Sequence, residues 1–255
     1  MTNPQRHPLP EQPAMPSQTD RAVMADAAAA LAVVIRLFDR ELDGEALAAL
    51  RSGDAFAFLD QILETDAARG ALGELEVAVS DLPPGPEDPF FDRLAADYAD
   101  IFLTHGHRAA PSASVWLSDD HTERGEPMFE ARRWYEHWGI SVPNWRVRAD
   151  DHIVPMLQFV AFLLEQGSAE AAADAAVFMD RQMGPWVGDF LGKVSVRADT
   201  ALYRAAAAFA GALLAEIRAE LERITGIAEQ IPEPPKRPEV QPDEVAFLPG
   251  AAPSW

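Results

Sequence analysis

One stretch constrains the fold of this chain more than any other: residues 148–164, RADDHIVPMLQFVAFLL. Ile153, Met156, Leu157, Val160 and Leu163 stand at i, i+3, i+4, i+7 and i+10, which is the spacing of one helix face. Phe159 and Phe162 widen that arc, so the helix has to be buried on most sides and the rest of the chain has to cover it. Asp150, Asp151 and His152 stand immediately before it. Ionisable groups at the mouth of a buried helix are the most function-like feature of the sequence. Histidine titrates near neutrality, and a neighbouring carboxylate favours its charged form. The plainer alternative makes Asp151 the helix cap and His152 a satisfied surface residue. With Asp151 as cap, Pro155 removes an early helical hydrogen bond, and a distorted first turn is expected.

The chain has the material for such a cover. Of 255 residues 48% are apolar, alanine is abundant, and runs with strand period are short and few. The sequence therefore predicts an all-α protein, a single globular bundle of about ten helices. Helical patterns cover residues 20–42 behind a Thr19 or Asp20 cap, 45–52, a segment capped by Asp54, 72–79, 90–104, and 129–139 with Gly139 just past the end. Beyond residue 164 they cover 169–183 behind Ser168, 186–194, and 201–227 behind Asp199 or Thr200. Residues 81–89, DLPPGPEDP, form a turn or linker. Residues 104–128 read as a long irregular loop and 141–148 as extended chain. The Pro-rich ends, 1–19 and 231–255, read as disordered tails around a domain of residues 20–230.

Charge and composition exclude several classes. Lys and Arg number 21 against 41 Asp and Glu, a net charge of −20, which repels nucleic acid and attracts a basic peptide. The chain has no cysteine, so disulfides and thiol chemistry are out. No apolar run approaches the roughly 18 residues of a membrane span; the best, residues 27–35, closes at Arg36. The first twenty residues lack the apolar core of a secretory signal, and a cytoplasmic location is expected.

Three constellations carry candidate chemistry. Asp151-His152 is the first. His105-Gly106-His107, with His121 beyond, is the second; no HExxH accompanies it, and a solvated loop is the simpler reading. The third is residues 111–116, PSASVW, which lacks the glycines of a nucleophile elbow but places an aromatic anchor, Trp116, on a loop suited to peptide recognition. Glycine-rich phosphate loops are absent.

Taken in order, these pieces resemble the TorD/DmsD (NarJ-like) redox-enzyme maturation chaperones. Asp151 and His152 match the Asp-His of that family's acidic-Pro-x-Asp-His signature, with Arg148 and Ala149 in place of the acid and the proline. LAADYADIFL resembles its helix ending in Tyr-x-x-Leu-Phe, and PSASVW its Pro-x-x-Ser-x-Tyr segment. YEHWGI, FMDRQMGPWVGDF (with Gln182 for a histidine) and LYRAAAAF match later elements, so the likeness spans residues 94–214. The resemblance implies an all-helical chaperone with no catalysis and no cofactor. Such a chaperone binds the twin-arginine signal peptide and the apo form of a molybdopterin oxidoreductase, and permits export only after cofactor insertion. By position, Asp150, Asp151, His152, Pro111, Ser114 and Trp116 would line the peptide groove, the two aspartates facing the arginines. Alanine at Asp151 or His152 is then expected to weaken binding with little loss of folding. The expected state is a monomer or a dimer swapped through residues 81–89. The alternatives are a metal-dependent hydrolase using His105, His107, Asp151 and His152, and a non-catalytic helical adaptor for another protein.

Overall fold

In the computed structural model, residues 15–85, 87–104, 109–119 and 121–233 are described. They form eleven α-helices and one π turn, and among them the backbone makes a single isolated β-bridge and no strand. The helices are α1 (Gln18–Asp39), α2 (Gly44–Arg51), α3 (Asp54–Ile62), α4 (Asp66–Ser80), α5 (Phe90–Phe102), α6 (Ala113–Leu117), α7 (Glu126–His137), α8 (Ile153–Gln166), α9 (Ala169–Phe178), α10 (Val187–Arg197) and α11 (Ala201–Thr225), with the π turn at Met179–Met183. The all-α expectation holds.

Helix α8 is the axis. Ten of its fourteen residues are buried, and Ile153, Val154, Met156, Leu157, Val160 and Leu163 are wholly so. Helix α1 lies along one side of it and α9 along another, and α11 runs between α4 and α10 to close the bundle. Aromatic rings fill the spaces between. Phe159 meets Tyr135 at 4.9 Å and Phe178 at 4.8 Å, and Phe102 meets Phe38 at 5.2 Å and Tyr98 at 5.0 Å. Offset and edge contacts of this kind add to what area burial alone contributes.

Local chemistry moves several helix ends. Ser17, not Thr19 or Asp20, caps α1: its hydroxyl accepts from Asp20 N–H, and the Asp20 carboxylate accepts from Ser17 N–H, a reciprocal capping box. That helix stops at Asp39 rather than near residue 42, because the Asp39 carbonyl accepts instead from the Tyr98 hydroxyl at 2.8 Å and from the Arg148 guanidinium at 2.5 Å. Asp43 caps α2, and Thr65 caps an α4 about two turns longer than its apolar stripe suggests. Helix α7 starts at Glu126, with Pro127 in its first turn, so the irregular segment is shorter than read and itself contains α6. At the other end of α7, Gly139 adopts φ +69°, and N–H groups of Ile140 and Gly139 return to Tyr135 and Glu136, a Schellman closure at the position expected from sequence. Residues 143–148 turn rather than run extended, with Asn144 at φ +60°.

The linker is tied down. Arg51 donates to the carbonyls of Pro84 and Leu82, each at 2.7 Å, and to that of Pro83. At the far end, buried Asp180 in the π turn takes Arg218 Nε at 2.6 Å and Nη2 at 2.9 Å. Asp180 also accepts Gln230 N–H, and Arg218 reaches the Ile227 carbonyl, so the chain past α11 folds back over the turn. A side chain at Gly184 would meet the Asp180 carbonyl at 2.8 Å and Ile231 at 2.9 Å, so only glycine admits that return. Residues 1–14 and 234–255 of the two tails lie outside the described residues.

Candidate functional site: a knot at the start of α8

The segment before α8 and the segment before α6 are stitched together. Ser112 and His152 form the antiparallel bridge. Ile153 N–H donates to the Pro111 carbonyl at 2.7 Å, and Ala113 N–H to the Asp151 carbonyl at 3.0 Å. The Asp151 side chain tightens the seam: its Oδ2 accepts from Ser114 N–H at 2.7 Å and from the Ser114 hydroxyl at 2.5 Å. The same hydroxyl accepts Gly125 N–H at 2.9 Å, which draws the start of α7 into the knot. A Cβ at Gly125 would stand 2.5 Å from the Ser118 hydroxyl, which would have to rotate aside to admit it.

His152, not Asp151, is the N-cap of α8, and its Nδ1 accepts from Val154 N–H at 3.1 Å. The cap shift also accommodates Pro155. It now occupies the third helical position, where the N–H has no intrahelical partner in any helix, and the first helical bond runs from Met156 N–H to the His152 carbonyl at 3.2 Å. The distorted first turn expected from sequence therefore does not arise.

Burial sets the electrostatics. Asp151 is 0% exposed, its Oδ1 has no hydrogen-bond partner, and its carboxyl sits above the ordinary carboxylate range. Burial is the main cause and nearby Glu123 adds to it, while the Ser114 hydroxyl and N–H pull the other way. Asp150 is 2% exposed; its Oδ2 accepts Arg132 Nε at 2.7 Å, and its carbonyl accepts the Tyr135 hydroxyl at 2.8 Å. That phenol stays protonated far above its usual range because it is buried beside two aspartates. Trp116 is half-buried, with its Nε1–H on the Ala110 carbonyl at 2.7 Å and Lys193 Nζ 4.2 Å above its ring.

The structure thus brings Pro111, Ser114, Asp150, Asp151 and His152 together, with Trp116 one turn along α6. It corrects how they present themselves. Neither aspartate offers an open carboxylate: one is paired with Arg132 and the other is sealed by Ser114. Alanine at Asp151 or His152 would therefore cost stability, contrary to the sequence expectation, since each accepts backbone hydrogen bonds out of water's reach. Arg148, in the place of the expected acid, turns away from the knot to pair with the Asp39 carboxylate on α1. His105 and His107 lie outside the described residues; His121, at φ +52°, is exposed and holds the Val115 carbonyl at 2.9 Å. Among the described residues the one grouping with metal-like proximity is His137, Glu170 and Asp174, between α7 and α9, and it includes none of the knot.

Sequence reasoning missed Arg132, Tyr135, Gly125 and Asp39. None shares a helical or strand period with residues 150–152; only the fold joins them.

Comparison with known proteins bears on the same region. The family of the nitrate reductase delta subunit matches residues 64–192, a span that contains every described member of the knot. The chaperone protein TorD of Vibrio vulnificus is 29% identical over 163 residues, covering 60% of this chain and 75% of the relative. TorD of Shewanella piezotolerans is 27% identical over 197 residues, 74% of this chain and 87% of the relative. TorD of Vibrio cholerae is 25% identical over 187 residues, 70% and 84% respectively.

Proposed function

Because this chain belongs to the nitrate reductase delta subunit family, which takes in the TorD chaperones, we propose that it is a maturation chaperone for a molybdopterin oxidoreductase rather than an enzyme. It binds the client's twin-arginine signal peptide and its apo form in the cytoplasm, assists cofactor insertion, and withholds the client from export until then. The observation that carries this reading is that the matched span contains the whole knot, in which Pro111, Ser114, Asp151 and His152 are held by one another. No helix among the described residues is long and apolar enough to cross a membrane.

The physical logic is one of charge and burial. A net charge of −20 draws a cationic leader inward, more strongly at low salt. At the knot a buried carboxylate, Asp151, has an unsatisfied oxygen, an acceptor that a guanidinium satisfies once the neighbouring loops part. Trp116, on the short helix next to it, supplies aromatic area for the apolar run that follows the arginines. Asp150, Asp151, His152, Pro111, Ser114 and Trp116 thus frame the binding surface.

The test is fluorescence anisotropy of a labelled synthetic peptide with two adjacent arginines ahead of an apolar run. Binding that weakens as salt rises, and weakens further with lysines for the arginines, is expected. No binding, or affinity indifferent to both changes, overturns the reading.

A further inference from the structure

Beside the knot, Arg132 is enclosed in an unusual way. Its Nε donates to Asp150 Oδ2 at 2.7 Å, and its Nη2 lies 2.5 Å from the same oxygen but outside hydrogen-bond geometry. Its guanidinium carbon lies 5.5 Å from the centre of the Phe129 ring and 5.0 Å from that of Trp145. The carboxylate side chain is 3% exposed, whereas Arg132 is 29% exposed and Phe129 43%. The site therefore has a buried anionic floor and aromatic walls, and it opens to solvent.

The turn that carries Trp145 is held in strained backbone. Asn144 and Arg124 both adopt positive φ, and Arg124 donates to the Arg146 carbonyl at 2.7 Å. Strain kept in place by such a tie accumulates at functional surfaces. Val147, two residues beyond Trp145 on the same turn, is 79% exposed. A planar guanidinium suits this combination, since it both pairs with a carboxylate and stacks on rings, which an ammonium does less well.

We propose that Asp150, Phe129 and Trp145 form a guanidinium cage that Arg132 fills in the unliganded chain, and that an arginine of the client's leader enters by displacing Arg132. This rests on the function proposed above and deepens it, by placing one leader arginine at a defined site. Exchanging one guanidinium for another never strips Asp150 of its counter-charge, which is the costly state for a buried carboxylate. Arg132 then swings to solvent on its long side chain, and the client has to compete with a resident copy of its own recognition group.

The experiment compares the full chain with Arg132→Gln and Trp145→Leu. The same labelled twin-arginine peptide should bind Arg132→Gln about tenfold more tightly, because the competitor is gone, and Trp145→Leu about tenfold more weakly. N-acetylarginine amide, at millimolar concentration, should raise the melting temperature of Arg132→Gln but not of the wild type, and N-acetyllysine amide should raise neither. Unchanged or weaker peptide binding by a folded Arg132→Gln, or full affinity in Trp145→Leu, overturns the cage. If Arg132→Gln does not fold, restoration of its fold by the arginine amide supports the cage and failure to restore it overturns it. If the amide stabilises the variant while no protein binds the peptide, the cage stands and the leader-binding function falls.

Discussion

Replacing Ser114 by alanine removes one oxygen that serves two elements at once. The hydroxyl donates to Asp151 Oδ2 and accepts Gly125 N–H, and it is 0% exposed. Losing a hydrogen bond to a charged group costs roughly 1.5 to 3 kcal/mol, and the orphaned Gly125 N–H adds roughly 1 kcal/mol. Together the loss is about 3 kcal/mol, or roughly 6 to 12 °C in melting temperature for a domain of this size.

The cost should also depend on pH. The Ser114 hydroxyl and N–H lower the Asp151 pKa against the upward push of burial, so removing the hydroxyl raises that pKa further. At a pH low enough to protonate Asp151 in both proteins the electrostatic part vanishes; as pH rises through the wild-type value it grows, and it is constant above the mutant's. Urea melts at several pH values from acid to neutral measure this directly. A loss below about 1 kcal/mol at neutral pH, or a loss that shrinks as pH rises, would refute the view that Ser114 supports an ionised, buried carboxylate.

Other substitutions test neighbouring joints. Asp151→Asn keeps an oxygen for Ser114 but cannot ionise. Since the native carboxyl titrates above its unfolded value, wild-type stability declines as pH climbs from the ordinary carboxylate range through the native pKa, and the variant's melts should lack that decline. His152→Ala should lose about 1 to 2 kcal/mol by chemical denaturation through the missing cap, with His152→Asn recovering most of it. Arg218→Met leaves Asp180 buried without its cation and should cost about 3 to 5 kcal/mol, with hydrogen exchange at Gln230 speeding up as its tie to Asp180 loosens.

How much of this was legible beforehand follows from what periodicity encodes. The α8 stripe, the Ser168 cap and Gly139 are local patterns, and the structure keeps each of them. The composition of the knot was also legible, because PSASVW and Asp151-His152 stand out as residue types that a plain helix interior would not use. What sequence could not give is which way those residues point. A polar cluster ahead of a buried helix reads equally as an open site or a seam, and the difference lies in partners 18 and 37 residues away, Arg132 for Asp150 and Ser114 for Asp151. The substitution of Arg148 for an acid was likewise opaque, since its partner Asp39 lies 109 residues earlier on α1.

Those long-range ties bear on how a rigid seam can also receive a ligand. The knot joins α6, α7 and α8 through groups that saturate one another, so its parts move together or not at all. Two features break that saturation: the orphaned Oδ1 of Asp151, and the solvent-facing side of Arg132 on Asp150. A buried charge without a full complement of partners makes the closed arrangement less stable than its hydrogen-bond network alone suggests. A cation that satisfies either aspartate therefore gains the energy the closed form lacks, and it acts where α6, α7 and α8 are joined. Tyr135 marks where such a change would propagate: its hydroxyl holds the Asp150 carbonyl while its ring packs on Phe159 of α8. Tyr135→Phe cuts that link without disturbing the ring contacts. It should cost only about 1 kcal/mol of stability, yet leave hydrogen exchange in the first turn of α8 no longer responsive to bound twin-arginine peptide. Exchange that slows on peptide addition to the same extent in variant and wild type would show that the signal does not run through Asp150.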